Sequence, residues 1–334
     1  MSKGLVKSNV LRGLLYRQAL RRQAVRLPYS PFTIYIDPCN ACDLRCTFCP
    51  QSDWGSRERG LMDWPLFEKI MSEVVELRPD RLFLFCFGEA TLNKKLPRMI
   101  RFASDAGLSV RIHTNAFAMD EELARGLIES GLGECVFSFD TPDAKLYNRL
   151  RCGSDFDKAL ANIRRMIELR DEMGSDTPVF HLQEILEYDP NVKKPDNTKA
   201  YTDLFDGLSV KFRAKYMHSF AGQANEERFA KVQESGVSQC SQLHRRIVVN
   251  FDGKIHACCL DPEGFNIVGD IQAGDTIAEA WNSPKMMELR RRTNERDVAD
   301  TPPCNNCDLL IRRPRSKDGW FARTAGALAW RWFS

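Results

Sequence analysis

Apolar residues along the chain alternate between two spacings, one typical of buried strands and the other typical of helices. Short, dense apolar runs predict six strands, at 32–37, 81–87, 108–114, 134–140, 178–186 and 208–218. Helical spacing predicts the segments between them, at 62–77, 96–107, 121–133, 156–174 and 196–206. Strands that alternate with helices favour a parallel sheet covered by helices. Because six such units are too few for a closed eight-stranded barrel, we predict an open, partial (β/α)6 barrel over residues 32–218.

The rest of the chain has a different pattern. Residues 219–235 are predicted to be a linker with some helix, and 246–259 a β-hairpin that turns at Asp252 and Gly253. A helix is expected near 274–292, so residues 236–311 are predicted to form a small, cysteine-rich α+β module. Residues 1–31 form a basic N-terminal extension, and residues 312–334 form a basic, aromatic C-terminal tail.

The composition is that of an ordinary globular protein, with 43% hydrophobic and 28% charged residues. No apolar run approaches the roughly 18 residues of a membrane span, and the N-terminal segment lacks the apolar stretch of a secretory signal. We therefore expect a cytoplasmic location. Thiols stay reduced there, so clustered cysteines are expected to bind metal or take part in redox chemistry rather than form disulfides.

The net charge of +3 is unevenly distributed along the chain. The two ends hold a formal charge of +12 and the middle −9, which argues against nucleic acid as a partner. A basic amphipathic helix is predicted within 3–26, with an apolar face near Leu5, Val6, Val10, Leu14 and Leu15. Basic ends with aromatic residues also occur in peripheral membrane segments, but packing against the barrel mouth or a partner is the favoured interpretation.

Four of the twelve cysteines fall in the stretch CNACDLRCTFCP, directly after the first predicted strand. Three of them, Cys42, Cys46 and Cys49, follow the spacing C-x3-C-x2-C. Three thiolates at this spacing can hold a 4Fe–4S cluster and leave its fourth iron open. A structural zinc site with Cys39 as fourth ligand is the alternative.

A second set of four cysteines lies in the C-terminal module, at Cys240, Cys258, Cys304 and Cys307. Four thiolates suit a fully ligated 4Fe–4S cluster and equally suit zinc. Cys259 adjoins Cys258 and competes with it as a ligand.

These motifs resemble the radical S-adenosylmethionine (SAM) enzymes, whose signature C-x3-C-x-aromatic-C follows the first strand of a partial barrel. Phe48 fills the aromatic position. After the second strand, FGEAT resembles the glycine–glutamate motif that holds the SAM amine, here with Phe87 and Ala90 at altered positions. After the third strand, HTNAF resembles a Thr-Asn-Gly motif. The resemblance covers about 32–218 and implies these SAM contacts: Phe48, Gly88, Glu89, Asn115, Ser138, Asp140, Arg149 and Arg151.

The resemblance also implies the cofactors and chemistry. SAM is expected to chelate the open iron, and a reductant such as flavodoxin or ferredoxin to supply the electron that yields a 5′-deoxyadenosyl radical. Arg149 or Arg151 would pair with the methionine carboxylate, and Ser138 and Asp140 would lie near the ribose or substrate. The second cysteine set is similar to the shortened SPASM module called Twitch. That resemblance implies one auxiliary 4Fe–4S cluster, with Cys258 rather than Cys259 as ligand.

Candidate substrate contacts come from the last two strands of the barrel. Lys211, Arg213 and Lys215 alternate on the sixth strand, which predicts a cationic face towards the cavity or a solvated edge. A cationic cavity would indicate an anionic small-molecule substrate. Further candidates for substrate contact are Gln183, Glu184 and His218, and the candidate catalytic residues are Arg151, Tyr216 and His181.

The cysteine arrangement resembles that of the butirosin-type aminocyclitol dehydrogenases. The resemblance implies a radical SAM oxidoreductase that acts on a sugar, aminocyclitol or nucleotide sugar. A peptide-modifying SPASM-type enzyme is the second hypothesis. A non-catalytic, metal-binding scaffold is a third.

Overall fold

The computed structural model describes residues 5–53, 58–186, 196–224 and 239–310. Its strands are β1 (Thr33–Ile36), β2 (Arg45–Cys46), β3 (Arg81–Phe83), β4 (Val110–Thr114), β5 (Glu134–Ser138), β6 (Arg151–Cys152), β7 (Val179–Leu186), β8 (Lys211–Tyr216), β9 (Arg246–Val249), β10 (Lys254–His256) and β11 (Ile267–Asp270). Its α-helices are α1 (Asn9–Arg21), α2 (Trp64–Leu77), α3 (Leu96–Asp105), α4 (Glu121–Glu129), α5 (Ala144–Leu150), α6 (Phe156–Glu172), α7 (Thr198–Leu204), α8 (Ile277–Ala280) and α9 (Pro284–Glu295).

The central feature is a nine-stranded sheet with the order β11-β10-β9-β1-β3-β4-β5-β7-β8. The pairings from β1 through β8 are all parallel, which confirms the predicted partial barrel of βα units. All four residues of β1 are buried, as expected for a central strand covered on both faces. Short strands β2 and β6 form a separate antiparallel pair beside the carboxyl ends of the sheet.

The C-terminal module continues this sheet rather than forming one of its own. Strand β9 pairs in parallel with β1, from Thr33↔Arg246 to Ile36↔Val249. The predicted hairpin is present, because β9 pairs antiparallel with β10 and Gly253 takes a φ of 86° at the turn.

The single helix expected near 274–292 is instead two helices, α8 and α9. Ser283 caps α9 by accepting a hydrogen bond from the backbone N–H of Met286, and Pro284 occupies the first turn, where its missing N–H costs nothing. The predicted linker falls partly on 225–238, which lies outside the described residues.

Helix α1 packs differently from the sequence prediction. Its buried residues are Arg12, Tyr16 and Ala19, whereas Val10 and Leu14 are 79% and 57% exposed. Tyr16 lies edge-on to Phe32, 5.5 Å away, so the helix covers the amino end of β1 and not the barrel mouth. The apolar spacing predicted the wrong buried face, because the buried side of the helix includes a guanidinium, Arg12. The predicted tail at 312–334 lies outside the described residues.

None of the helices in the described part of the chain is long and apolar enough to cross a membrane.

A buried guanidinium joins the N-terminal extension to the C-terminal module. Arg290 of α9 is fully buried and donates hydrogen bonds to the carbonyl oxygens of Leu243 (2.9 Å), Val25 (2.9 Å) and Trp281 (2.7 Å). Its guanidinium carbon also lies 4.5 Å from the centre of the Trp281 ring. Buried polar groups stabilise a fold only when they are paired, and these carbonyls satisfy the cation.

We expect Arg290→Met to lower the free energy of unfolding by about 3 kcal/mol or more, because several buried carbonyls lose their donor. Urea unfolding followed by circular dichroism measures the change. The adjacent Arg291, which forms exposed ion pairs with Glu288 and Glu295, provides the control. Arg291→Met should cost about 1 kcal/mol or less. Equal costs for the two substitutions would contradict the proposed role of Arg290.

Candidate active site at the carboxyl edge of the sheet

The carboxyl ends of the parallel strands open into a cavity of about 300 Å³. This edge is where α/β sheets bind ligands. The barrel and the C-terminal module both contribute to its lining, which includes Cys42, Cys46, Cys49, Gly88, Glu89, Asn115, Ser138, Arg151, Arg213, Lys215, Arg246, Cys259 and Leu260.

Close backbone contact fixes the cysteine loop against the loop after β3. A Cβ atom at Gly88 would lie 2.1 Å from the carbonyl oxygen of Cys39 and 2.5 Å from that of Ala41, so only glycine fits. The N–H of Glu89 donates to the Ala41 oxygen at 2.8 Å. Cys39 itself is buried, donates its thiol to Ala41 at 3.4 Å and is not among the described residues that line the cavity.

Glu89 is the predicted partner of the SAM amine, and it lies buried at the cavity wall. Its carboxylate accepts hydrogen bonds from the hydroxyl of Thr91 (2.6 Å) and the N–H of Asn115 (2.8 Å). Burial raises the pKa of Glu89. A cationic amine placed beside it would restore the charged form, which fits the predicted role.

Asn115 links the loop after β4 to the cysteine loop. Its side-chain amide donates to the Asp43 carboxylate at 2.8 Å and lies 3.9 Å from the sulfur of Cys42. The following residue, Ala116, has a φ of 59°, at the position where the motif usually has glycine. The left-handed turn is therefore kept although the glycine is replaced.

Arg151 and Asp140 form a buried ion pair beside the cysteines. The Nε of Arg151 donates to Asp140 Oδ2 at 2.6 Å, and Nη1 lies 3.8 Å from the sulfur of Cys46. Burial opposes the charge on Arg151, but the carboxylate of Asp140 outweighs it and raises the arginine pKa. Asp140 Oδ1 has no hydrogen-bond partner within the described residues, so it can accept one from a ligand hydroxyl. Phe48 lies under the guanidinium at 5.7 Å.

The structure separates the two arginines that the sequence offered as carboxylate partners. Arg149 lies on the exposed face of α5, whereas Arg151 begins β6, which pairs with Cys46 of β2. The prediction that Arg149 contacts SAM is therefore not supported, because its side chain lies outside the cavity lining.

The substrate candidates on β7 and β8 also divide into two groups. Gln183, Arg213, Lys215 and His218 line the cavity. Lys211 shares their face but lies at the amino end of β8 and is exposed. The prediction that Lys211 contacts the substrate is therefore corrected.

Three further candidates are corrected for reasons of strand geometry. Tyr216 lies on the opposite face of β8 and is 41% exposed, so it is not positioned for catalysis. Glu184 faces the helices, where it accepts a hydrogen bond from Asn197. His181 shares the inner face but lies too far from the carboxyl edge, with its Nε2 3.4 Å from the carboxylate of Glu134.

The sequence analysis missed several lining residues, chiefly Arg111 and His113 of β4, and Arg246 of β9. Arg111 and His113 show the same alternation that identified Arg213 and Lys215, so that signal was present in VRIHT. Arg246 gave no such signal, because its position depends on the pairing of β9 with β1.

The second cysteine set surrounds a smaller apolar pocket. Cys240, Cys258, Cys304 and Cys307 all line it, together with Leu260 and other uncharged residues. Cys259 faces the main cavity instead. Within the described residues no group of three or more His, Cys, Asp or Glu side chains converges on a single metal ion. An all-thiol pocket without charged residues can hold a fully ligated 4Fe–4S cluster or a four-cysteine zinc ion.

Comparisons with known proteins agree with this geometry. A model of the radical SAM superfamily matches residues 36–188, and a model of the SPASM iron–sulfur cluster-binding domain matches residues 240–308. The chain therefore contains a radical SAM domain followed by a SPASM domain. The predicted enzyme class is thereby confirmed, as are the predicted cofactor types: SAM and a 4Fe–4S cluster for the first domain, and auxiliary iron–sulfur chemistry for the second.

Curated relatives match parts of this radical SAM chain. A tungsten-containing aldehyde ferredoxin oxidoreductase cofactor-modifying protein of Pyrococcus furiosus is 27% identical over 156 residues, which cover 46% of this chain and 43% of that protein. A PqqA peptide cyclase of Rhodopseudomonas palustris is 24% identical over 123 residues, 36% of this chain and 32% of the cyclase. The matches thus span less than half of either relative.

Among solved structures, the crystal structure of BtrN in complex with AdoMet and 2-DOIA is similar to this chain. The similarity covers 83% of this chain and 92% of the BtrN chain, with a TM-score of 0.58 and 17% identity. At this identity the similarity shows a shared fold, and it supports the described architecture of partial barrel and C-terminal module.

We expect simultaneous replacement of Cys42, Cys46 and Cys49 by alanine to abolish 5′-deoxyadenosine formation from SAM. Iron should fall from about eight to about four atoms per chain, because the second cysteine set is untouched. Chromatography and iron analysis after anaerobic reconstitution measure both quantities. Cys39→Ala is the control and should keep the iron and the activity. Loss of four irons in that control would contradict the assignment.

The orientation of the adjacent cysteines generates a second prediction. Cys258→Ser should lower the iron content to about four atoms per chain, whereas Cys259→Ser should leave it near eight, because only Cys258 lines the smaller pocket. Iron and sulfide counts, with the electron paramagnetic resonance of the reduced protein, distinguish the two. The reverse pattern would make Cys259 the ligand.

Proposed function

We propose that this radical SAM enzyme is an oxidoreductase that dehydrogenates a hydroxyl-bearing carbon of a small molecule, such as a sugar, aminocyclitol or nucleotide sugar. The observation that carries the proposal is that one cavity is lined both by the first cysteine set and by Cys259 and Leu260 of the C-terminal module. A substrate bound there lies between the site of hydrogen abstraction and a second redox site.

The size of the cavity supports a small substrate. About 300 Å³ is at the lower end of the roughly 300–1,000 Å³ typical of small-molecule sites, and SAM would take part of it. Modification of a peptide is the second candidate, favoured by the peptide cyclase among the relatives. A non-catalytic scaffold is the weakest hypothesis, since it leaves Glu89 and the Arg151–Asp140 pair in the cavity without a purpose.

The residues of the chain have separate roles in this proposal. Cys42, Cys46 and Cys49 would hold the cluster, and Glu89 would bind the amine of SAM. Arg151, oriented by Asp140, directs Nη1 towards the cysteines, where a guanidinium can bind a carboxylate through two hydrogen bonds. When bound, the cluster and SAM supply a 5′-deoxyadenosyl radical that can abstract hydrogen from carbon.

The overall reaction balances with SAM as the two-electron oxidant. Each turnover converts SAM and a secondary alcohol into methionine, 5′-deoxyadenosine, a ketone and one proton. The electron that starts the reaction is returned when the ketone forms, so reductant is needed only to initiate turnover. The uncharged pocket of Cys240, Cys258, Cys304 and Cys307, beside the main cavity, is the proposed electron acceptor site.

The proposal predicts the stoichiometry of the reaction. Reconstituted protein given SAM, limiting dithionite and a panel of phosphorylated and unphosphorylated sugars and cyclitols should form one ketone per 5′-deoxyadenosine. Product should exceed the electrons added, and deuterium at the carbinol carbon should appear in 5′-deoxyadenosine. Mass spectrometry measures each quantity, with the triple-cysteine variant as control. If peptides stimulate SAM cleavage and the sugars and cyclitols do not, the result would contradict this proposal and favour modification of a peptide.

A further inference from the structure

The main cavity is strongly cationic. Among the described lining residues, Glu89 is the one carboxylate. Five lining residues carry a positive charge: Arg111, Arg151, Arg213, Lys215 and Arg246. Glu89 is already assigned to the amine of SAM. A cluster held by three thiolates would add about one negative charge and SAM, as a sulfonium, about one positive charge, so the excess of cations remains when both are bound.

Arg213 and Lys215 have no carboxylate partner among the described residues. Arg111 pairs with Glu134 and Arg151 with Asp140, but within the described residues neither Arg213 nor Lys215 forms an ion pair. The Nη2 of Arg213 lies 3.2 Å from Nε2 of His113, and its buried Nε has no acceptor. A cation withdrawn from water without a partner is costly, so these groups indicate a missing anion.

The electrostatic environment of Lys215 agrees with an anion site beside this side chain. Burial is the largest cause that lowers the lysine pKa, Asp140 and Cys259 raise it, and Arg213 and Arg151 lower it, with a net pKa of about 8. Burial likewise lowers the pKa of Arg213 to about 10. An anion bound between the two side chains would reverse both effects.

A stack of aromatic rings lies along this wall of the cavity. The ring of Phe85 stacks on His113 with centres 4.0 Å apart and on Phe83 with centres 5.5 Å apart. Arg111 lies over Phe83 at 5.1 Å. Arg213 therefore contacts a histidine whose ring packs against Phe85, and this packing favours one orientation of the cation.

We propose that the substrate carries an oxyanion group, a phosphate or a carboxylate, which Arg213 and Lys215 bind at the β8 wall of the cavity. The proposal rests on the proposed function and narrows its substrate class. A sugar phosphate or nucleotide sugar fits this wall, because a guanidinium and an ammonium donate charge-assisted hydrogen bonds to oxyanions. An aminocyclitol does not fit, because its ammonium group would face uncompensated cations.

Direct anion binding tests the proposal without knowledge of the substrate. Inorganic phosphate is titrated into the reconstituted, SAM-bound protein by isothermal calorimetry at constant ionic strength, with acetate in a parallel series. Arg213→Gln and Lys215→Met should each weaken binding by about ten- to a hundredfold, the value of one charged hydrogen bond. Stronger binding of phosphate or of acetate identifies which oxyanion the wall accepts.

Lys211→Met is the matched control, because Lys211 is on the same strand but exposed outside the cavity. It removes the same charge and should change the phosphate affinity less than twofold. Equal affinities in the wild type and all three variants, or no binding of either anion, would overturn the proposal. Circular dichroism and iron content identify any variant that fails to fold, and Arg213→Lys, which keeps the charge, should retain part of the affinity.

The outcome is separable from the proposed function. SAM cleavage by the wild-type protein is measured in the same preparation. Cleavage without anion binding would overturn only the inference about the substrate. Anion binding without ketone formation from any substrate of the panel would leave the oxyanion site in place and count against dehydrogenation.

Discussion

Strand β9 hydrogen-bonds to β1 over four residue pairs, and this pairing determines the geometry of the cavity. Through it the C-terminal module becomes part of the barrel sheet, adjacent to the strand that leads into the first cysteine set. The segment after β10 is thereby held at the carboxyl edge, where Cys259 and Leu260 enter the cavity lining. Other contacts also hold the module to the barrel, such as the Ile277 N–H that donates to Glu73 of α2, but the β1–β9 pairing is the one that places the module beside the first cysteine set.

The end of β1 also organises the neighbouring loop. Buried Asp37 accepts hydrogen bonds from the N–H groups of Cys86 and Phe87, both at 3.1 Å. These contacts lead directly into Gly88, where the chain passes against the carbonyl oxygens of the cysteine loop. The unusual Phe87 therefore does not disturb the glycine–glutamate motif, because the backbone N–H of that position carries the contact. Such preorganisation lets the site bind charged ligands without rearranging.

The sequence predicted those features that depend on local spacing. The strands, the hairpin at Gly253 and the cysteine sets follow from patterns within a few tens of residues. The side-chain roles that failed depend on geometry at a finer scale. Arg149 and Arg151 differ by two positions, yet one lies on a helix surface and the other starts β6. Lys211 and Arg213 share a face but differ in depth along the strand. Arg246 and Cys259 reach the cavity only through a pairing between segments about 200 residues apart, which spacing cannot reveal.

Arg290 and Lys215 illustrate how a structural charge and a functional charge differ in this fold. Arg290 is surrounded by carbonyl oxygens, so its desolvation is offset within the folded chain and it stabilises the contact between extension and module. Lys215 is half-buried at the cavity wall, where within the described residues it has no hydrogen bond or ion pair, and burial lowers its pKa to about 8. Replacing such a group by an apolar residue often stabilises a protein. Its presence at the cavity wall is therefore better explained by a ligand than by the fold, and the free energy lost on folding is regained when an oxyanion binds.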